Sequence, residues 1–188
     1  IKIMWKPSCN SVFDNHDNAY YFKLKKGVPG GCPPDTWKHP LGAYEFKERC
    51  EVKSKFLEKG KYTWSADIET IADELIHAEV FYFFQIHDGR MHGESPSNCK
   101  VQNGNICLKQ SPTGIKFESK KFNLRCDILV DSKLCVFCDY FLDGKHIGNT
   151  TSTNDEQQKP FMKFGAYRWN AVCDVEQIYR NVNLTYVS

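Results

Sequence analysis

The residues Gln85-Ile86-His87 close an aromatic run, Val80-Phe81-Tyr82-Phe83-Phe84, and carry two groups able to do chemistry on an anion. A carboxamide donates hydrogen bonds to a carboxylate, and a neutral imidazole takes up a proton near physiological pH. A strand sends alternate side chains to opposite faces. Gln85 and His87 therefore share one face, and Tyr82, Phe84 and Ile86 are expected on the other. Two more segments read the same way. In Lys47-Glu48-Arg49-Cys50-Glu51-Val52-Lys53, alternation groups Lys47, Arg49, Glu51 and Lys53 against Glu48, Cys50 and Val52. In Phe161-Met162-Lys163-Phe164-Gly165-Ala166-Tyr167-Arg168-Trp169, it groups Lys163, Gly165, Tyr167 and Trp169 against Met162, Phe164 and Ala166. Gly165 takes a side chain off the polar front, which would let a ligand approach the backbone. Ordinary solvated sheet surface accounts for any one of these strands; three with chemically useful fronts point to a site.

The elements that must position these residues are short strands separated by turn signals, with no repeat and no low-complexity segment. Lys61 to Ile68 alternates Tyr62, Trp64, Ala66 and Ile68 against Thr63, Ser65 and Asp67, a half-buried strand. Phe122–Val130 and Leu134–Leu142 read as a hairpin, followed by a turn at Asp143-Gly144. Asn103-Gly104 is a hairpin turn between Cys99 and Cys107. Lys26 to Pro40, rich in Gly and Pro, reads as a loop, and so does the polar stretch Gly148 to Pro160. Ile71 to His77 is expected to form one or two helical turns, and Cys173 to Val187 returns to strand-like alternation. The pattern predicts an all-β sandwich of two antiparallel sheets, with residues 1–188 as a single domain.

Composition narrows the function. A chain of 188 residues can bury a large core. No apolar stretch approaches membrane-spanning length, so no membrane partner is expected. The net charge of +2 and the scattered distribution of the 25 Lys and Arg residues argue against nucleic acid. Nine cysteines with only one closely spaced pair, Cys135 and Cys138, favour disulfides over zinc, hence no metal and a secreted, extracellular protein. Cys99 with Cys107, Cys126 with Cys138, and Cys9 with Cys32 are the expected cross-links. The odd count leaves a thiol unpaired or bonded to another chain, a route to self-association, and Cys50 is the candidate free thiol because its strand face reads as core. Asn149-Thr150-Thr151 and Asn183-Leu184-Thr185 are glycosylation sequons. Ile1 is not followed by a charged-then-apolar leader, which reads as a mature chain with its leader removed.

Arg49-Cys50-Glu51-Val52-Lys53 resembles the Arg-x-Glu-Leu-Arg motif of jelly-roll alginate lyases. Gln85-Ile86-His87 matches their Gln-Ile-His motif, and Lys163-Phe164-Gly165-Ala166-Tyr167 resembles their Lys-Ala-Gly-x-Tyr strand. The order is the same and the resemblance spans most of the chain. The stretches from Ser95 to Asn105 and from Tyr140 to Gly148 resemble the wider polysaccharide lyase group, including glucuronan and heparin lyases. Lys53 stands where a second Arg is usual, Phe161 replaces a Tyr, and Trp169 stands where a Gln is expected; these departures put alginate itself in doubt.

The resemblance implies a jelly-roll (concanavalin-like) fold and β-elimination on an acidic, uronate-containing polysaccharide, without a cofactor. The proton beside a carboxylate is poorly acidic, so the carboxylate must first be neutralised by preorganised donors. Arg49 and Gln85 take that role, while His87 and Tyr167 supply the base and the acid. If they act from opposite faces of the sugar, His87 is the base and Tyr167 the acid; if from one face, Tyr167 does both and His87 positions the sugar. Lys163 adds positive potential, Glu51 orients Arg49, and Lys53 and Trp169 complete the substrate-binding set. Trp169 either stacks on a sugar ring or packs on the sheet. Two other classes compete: a non-catalytic extracellular carbohydrate-binding or structural protein that kept the lyase fold, and a glycoside hydrolase. The latter needs two facing carboxylates, whereas Glu48 and Glu51 fall on opposite faces.

Overall fold

Alternation of the kind seen at Tyr62, Trp64, Ala66 and Ile68 is satisfied by burying one face of a sheet against a second sheet, and that is the architecture found. The computed structural model describes residues 6–7, 12–24, 36–38, 44–72, 80–87, 95, 97–118, 120–152, 159–169 and 174–187. Among them every regular element is a strand: β1 (Lys6–Pro7), β2 (Val12–His16), β3 (Ala19–Leu24), β4 (Thr36–Lys38), β5 (Tyr44–Phe56), β6 (Gly60–Ala72), β7 (Val80–His87), β8 (Ser97–Gln102), β9 (Asn105–Leu108), β10 (Ser111–Lys116), β11 (Lys121–Val130), β12 (Val136–Leu142), β13 (Lys145–Thr151), β14 (Phe161–Trp169) and β15 (Val175–Tyr186). One sheet has the order β1-β5-β14-β7-β8-β9-β10, with β4 also on β5; the other runs β13-β12-β11-β6-β15-β3-β2. All pairings are antiparallel. This is the single-layer-on-layer sandwich expected of the alternation.

The core between the sheets is aromatic. Trp64 of β6 is fully buried and stacks on Phe84 of β7 at 4.3 Å, with Phe164 of β14 at 5.8 Å. Phe22 and Tyr179 pack edge-on to each other at 5.5 Å, and Phe22 meets Phe164 at 5.9 Å. Offset and edge-to-face aromatic pairs add about 0.5–1.5 kcal/mol beyond the area they bury. They also fix the back of the strands whose fronts carry the polar residues: Val52, Ile86, Phe84, Met162, Phe164 and Ala166 all lie fully inside.

The turns follow local chemistry. Asn103 and Gly104 both take positive φ and join β8 to β9, and Asp143 and Gly144 do the same between β12 and β13. Asp131 Oδ1 accepts hydrogen bonds from the Lys133 and Cys135 amides and shapes the connection of β11 to β12.

Several expectations are corrected. Thr36–Lys38, inside the expected loop, is a strand paired with Tyr44–Phe46. Ile71 and Ala72, expected to begin a helix, extend β6, and residues 73–79 lie outside the described ones. Gly148–Thr151 belongs to β13, and 153–158 is not described. Cys99 and Cys107 cannot pair: Cys99 stands opposite Leu108 and faces the core, while Cys107 stands opposite Lys100 on the other side of the sheet. Cys126 and Cys138 share the inner face but are diagonal, with Tyr140 opposite Cys126 and Ile128 opposite Cys138; diagonal Cα atoms lie at about 7–8 Å, too far for an unstrained disulfide. Both are thiols here, as are Cys99, Cys107 and Cys135. Cys50 is buried in the core, as its strand face implied. Cys9, Cys32 and Cys173 lie outside the described residues. Burial pushes the Cys99 thiol up to about 12, with the Cys107 thiol adding to the shift. Among the described cysteines, alkylation of the native protein at mildly alkaline pH is therefore expected to label Cys135 first. Cys99, Cys126 and Cys138 should react only after unfolding, with mass mapping as the readout.

Candidate functional site

The three polar-fronted strands, distant in sequence, are neighbours in space. β14 lies between β5 and β7, so Tyr167 stands opposite Arg49, Gly165 opposite Glu51, and Lys163 between Lys53 on one side and Gln85 on the other. His87 stands opposite Phe161. Ile86 is fully buried, whereas His87 is half-exposed on the outer face, as the alternation required. The side chains of Arg49 and Trp169 lie outside the described ones; their backbones are placed, Arg49 beside Tyr167 and Trp169 between Lys47 and Val80 at the far end of β14.

A buried polar cluster forms the centre. Gln85 Nε2 donates to Glu51 Oε1 at 2.7 Å, and Lys163 Nζ lies 3.9 Å from Glu51 Oε2. A carboxylate only accepts, so this contact fixes which end of the Gln85 amide is nitrogen. It also leaves the second amide hydrogen for a ligand. Glu51 is expected above among the substrate-binding residues, orienting Arg49. Its side chain is only 2% exposed and it holds Gln85 and Lys163, while the Arg49 side chain it is expected to orient lies outside the described residues. The Lys163–Glu51 pair keeps the site from carrying an uncompensated buried charge.

Aromatic rings flank the cluster. The His87 ring stacks on Phe161 at 5.3 Å and 10°, with Lys53 Nζ 5.9 Å and Lys163 Nζ 5.8 Å from the same phenyl ring. At the other end Tyr167 stacks on Tyr82 at 4.8 Å and 17°, and Lys100 Nζ lies 5.4 Å from the Tyr82 ring.

Tyr82 was expected on the apolar back, and its place on the front has a specific cause. Phe164 pairs with Phe84 but Tyr167 pairs with Tyr82, so one extra residue of β14 is accommodated there. On the other side Tyr82 pairs with Lys100 and Phe84 with Cys99, leaving Phe83 without a partner on β8. This double β-bulge sends both Phe83 and Phe84 inward and reverses the phase before them. Tyr82 therefore joins Gln85 and His87. Lys100 and Asn98, opposite Tyr82 and Gln85 on β8, reach the same face by regular alternation and were not singled out from sequence. Asn98 is buried, and its Oδ1 has no hydrogen-bond partner among the described residues. The only hint in the sequence was its two-residue spacing from Lys100.

The bulge is held from behind. The Tyr179 hydroxyl of β15 lies 2.9 Å from the Phe83 carbonyl, 3.1 Å from the Gly165 carbonyl and 2.8 Å from Gln177 Oε1. Burial keeps this phenol well above its ordinary pKa, so it stays protonated. Tyr179→Phe is expected to cost about 1–3 kcal/mol, because buried bulge carbonyls lose their donor; chemical denaturation measures it, and a change under 0.5 kcal/mol would show the carbonyls are satisfied otherwise. Gly165, expected to bare the front for a ligand, is instead required by the backbone and the core, since a Cβ there would lie 3.1 Å from Cε1 of the buried Phe22 ring. Its φ is +135°, and a Cβ there would meet the Cys50 carbonyl oxygen at 2.4 Å and Glu51 Cα at 2.8 Å.

No protein-family model matches the sequence. No curated protein matches it either. Solved structures do resemble the fold. An alginate lyase of polysaccharide lyase family 7 superposes with a TM-score of 0.61 at 14% identity, over 94% of this chain and 83% of its own. A marine family-7 alginate lyase from Zobellia galactanivorans gives 0.59 at 14%, over 96% and 82%. An endo-β-1,4-glucuronan lyase from the fungus Trichoderma reesei gives 0.61 at 10% identity, over 100% and 88%. The chain thus has the jelly-roll fold of these polysaccharide lyases.

Proposed function

We propose that this protein is a polysaccharide lyase that cleaves a uronate-containing polysaccharide by β-elimination. One observation carries the proposal: Gln85, His87, Lys163 and Tyr167, from two distant segments, share one outer face of a sheet whose fold is that of alginate and glucuronan lyases, with the Arg49 backbone at the register position opposite Tyr167. Removal of the proton at C5 pushes charge onto the sugar carboxylate. The second Gln85 amide hydrogen, the Arg49 guanidinium and the Lys163 ammonium supply the positive field that this charge needs. The C5–H electron pair becomes the C4=C5 double bond as the C4–O bond breaks, and the leaving oxygen takes a proton.

The register supports a division of labour. The Gln85–Lys163 pair lies between His87 and Tyr167 along the sheet, so a carboxylate held at that pair has a proton-handling group on each side. Asn98 stands next to Gln85 on the same face. Lys53 and Lys100 extend the positive surface to either end, and Tyr82 holds the Tyr167 ring by stacking. Trp169, whose backbone lies at the Tyr167 end of β14, is a candidate either to stack on a sugar ring or to pack on the sheet. A secreted, glycosylated protein accords with such a substrate, and the sequon residues Asn149 and Asn183 are exposed.

A second reading has its own support. Gln85 already donates to Glu51, and the Tyr167 ring is already stacked on Tyr82, so the polar set is also self-sufficient as a non-catalytic sugar-binding face. One assay separates the two. The protein is incubated with alginate, glucuronan, heparan sulfate and hyaluronan, and the ultraviolet absorbance of the new conjugated double bond is followed. Growth of absorbance on any one is the expected result; binding without absorbance on all four would assign the face to a binding protein.

A further inference from the structure

The groove beyond His87 is built by a second irregularity that alternation alone does not reveal. Lys163 pairs with Lys53, but Phe161 pairs with Phe56, so three steps on β5 match two on β14. Ser54 sits in this bulge, where its hydroxyl accepts from the Met162 amide at 2.9 Å and donates to the Lys55 carbonyl at 2.6 Å. The extra residue reverses the phase of β5. Phe56, which strict alternation from Val52 would turn inward, is instead 60% exposed and meets Phe161 edge-on at 6.0 Å. Around the two rings runs a groove of about 420 Å³ lined by Lys53, Lys55, Phe56, Glu58, Lys159 and Phe161. Lys159 is engaged with Glu58 at 2.8 Å, and three lysines against one glutamate leave the groove positive.

We infer that Phe56 and Phe161, with Lys53 and Lys55, form a further sugar-binding subsite that takes a uronate unit beyond the one held at Gln85 and Lys163. A large apolar ring exposed on a sheet face costs solvation unless a ligand covers it, and the apolar C–H face of a pyranose is a fitting cover. The surrounding lysines match the carboxylate on its rim. Phe161 is shared: its ring stacks on His87 and meets Phe56 edge-on, and with Lys53 it lines the groove, which sets the groove beside the site. The polysaccharide therefore runs along β14, with the additional unit at the His87 end. This inference rests on the lyase reading for the identity of the sugar, but not for the existence of the subsite.

The test compares tri- and hexasaccharides of mannuronate, guluronate and glucuronate, measuring both cleavage by absorbance and binding by calorimetry. In the wild type kcat/KM and affinity should rise with length. Phe56→Ala should lower the hexasaccharide-to-trisaccharide ratio about tenfold, the scale of one uncovered Phe ring. Phe56→Trp should restore the ratio, and Lys55→Glu should lower it in a salt-dependent way. Phe56 is exposed, so unchanged thermal melting checks the fold of each variant. An unchanged ratio in Phe56→Ala with normal cleavage would overturn the subsite and leave the lyase reading standing. Binding that is length-dependent and Phe56-dependent, without cleavage of any oligomer, would uphold the subsite and remove the lyase reading. A concentration-dependent dimer lost in Phe56→Ala, with no length dependence, would assign the rings to a second copy and overturn the proposal.

Discussion

Replacing Tyr167 by Phe is expected to abolish measurable elimination while leaving polysaccharide affinity within about twofold, since only a hydroxyl is lost and a general acid–base group contributes about 10²–10⁴-fold to rate. The Phe ring keeps the stack on Tyr82 at the end of the site, so the sheet surface stays intact. Arg49→Ala should behave differently. The sugar carboxylate is charged in the ground state and gathers more charge in the transition state, so both affinity and turnover should fall. His87→Ala then separates the two proton routes. A loss as deep as that of Tyr167→Phe makes His87 the base, acting from the opposite face of the sugar; a rise in KM with kcat largely kept makes Tyr167 both base and acid. Wild-type rates in Tyr167→Phe would remove Tyr167 from proton transfer altogether.

Gly165→Ala should be the most damaging single change to both fold and site. An added methyl would stand 2.4 Å from the Cys50 carbonyl oxygen and 2.8 Å from Glu51 Cα, and both are backbone atoms that no rotamer change can clear. The left-handed φ adds its own strain, and together these effects cost about 3 kcal/mol. For a domain of this size that is about 6–12 °C in Tm. Relief requires β5 and β14 to separate, which moves Glu51 away from Gln85 and Arg49 away from Tyr167. Activity should therefore drop even at temperatures where the variant is fully folded, as circular dichroism alongside the absorbance assay would show. An unchanged Tm would mean that the strand pair has room this geometry denies it.

Alternation is a local property, and wherever a strand is regular it was legible. Gln85 against Ile86, Lys163 and Tyr167 against Phe164, and Trp64 with Ile68 all fall on the faces that period two assigns, because successive Cβ atoms must point to opposite sides. The turns at Asn103-Gly104 and Asp143-Gly144 were equally local, written in residues that tolerate positive φ. Tertiary structure alone decided which strands are neighbours and where they slip. No residue of β5, β14 or β7 announces that β14 lies between the other two; that order comes from burying their shared apolar back on Trp64 and Phe22. The phase of Tyr82 and of Phe56 was misread or unreadable for the same reason. A bulge is a mismatch between two partners' hydrogen-bond ladders, so it exists only once the partner is in place, and Tyr179 and Ser54 satisfy the freed backbone groups from positions far along the chain. The chemistry-bearing residue types belong to the sequence; the single face on which they meet, with Tyr82, Lys100, Asn98 and Phe56 added to it, belongs to the register of the assembled sheet.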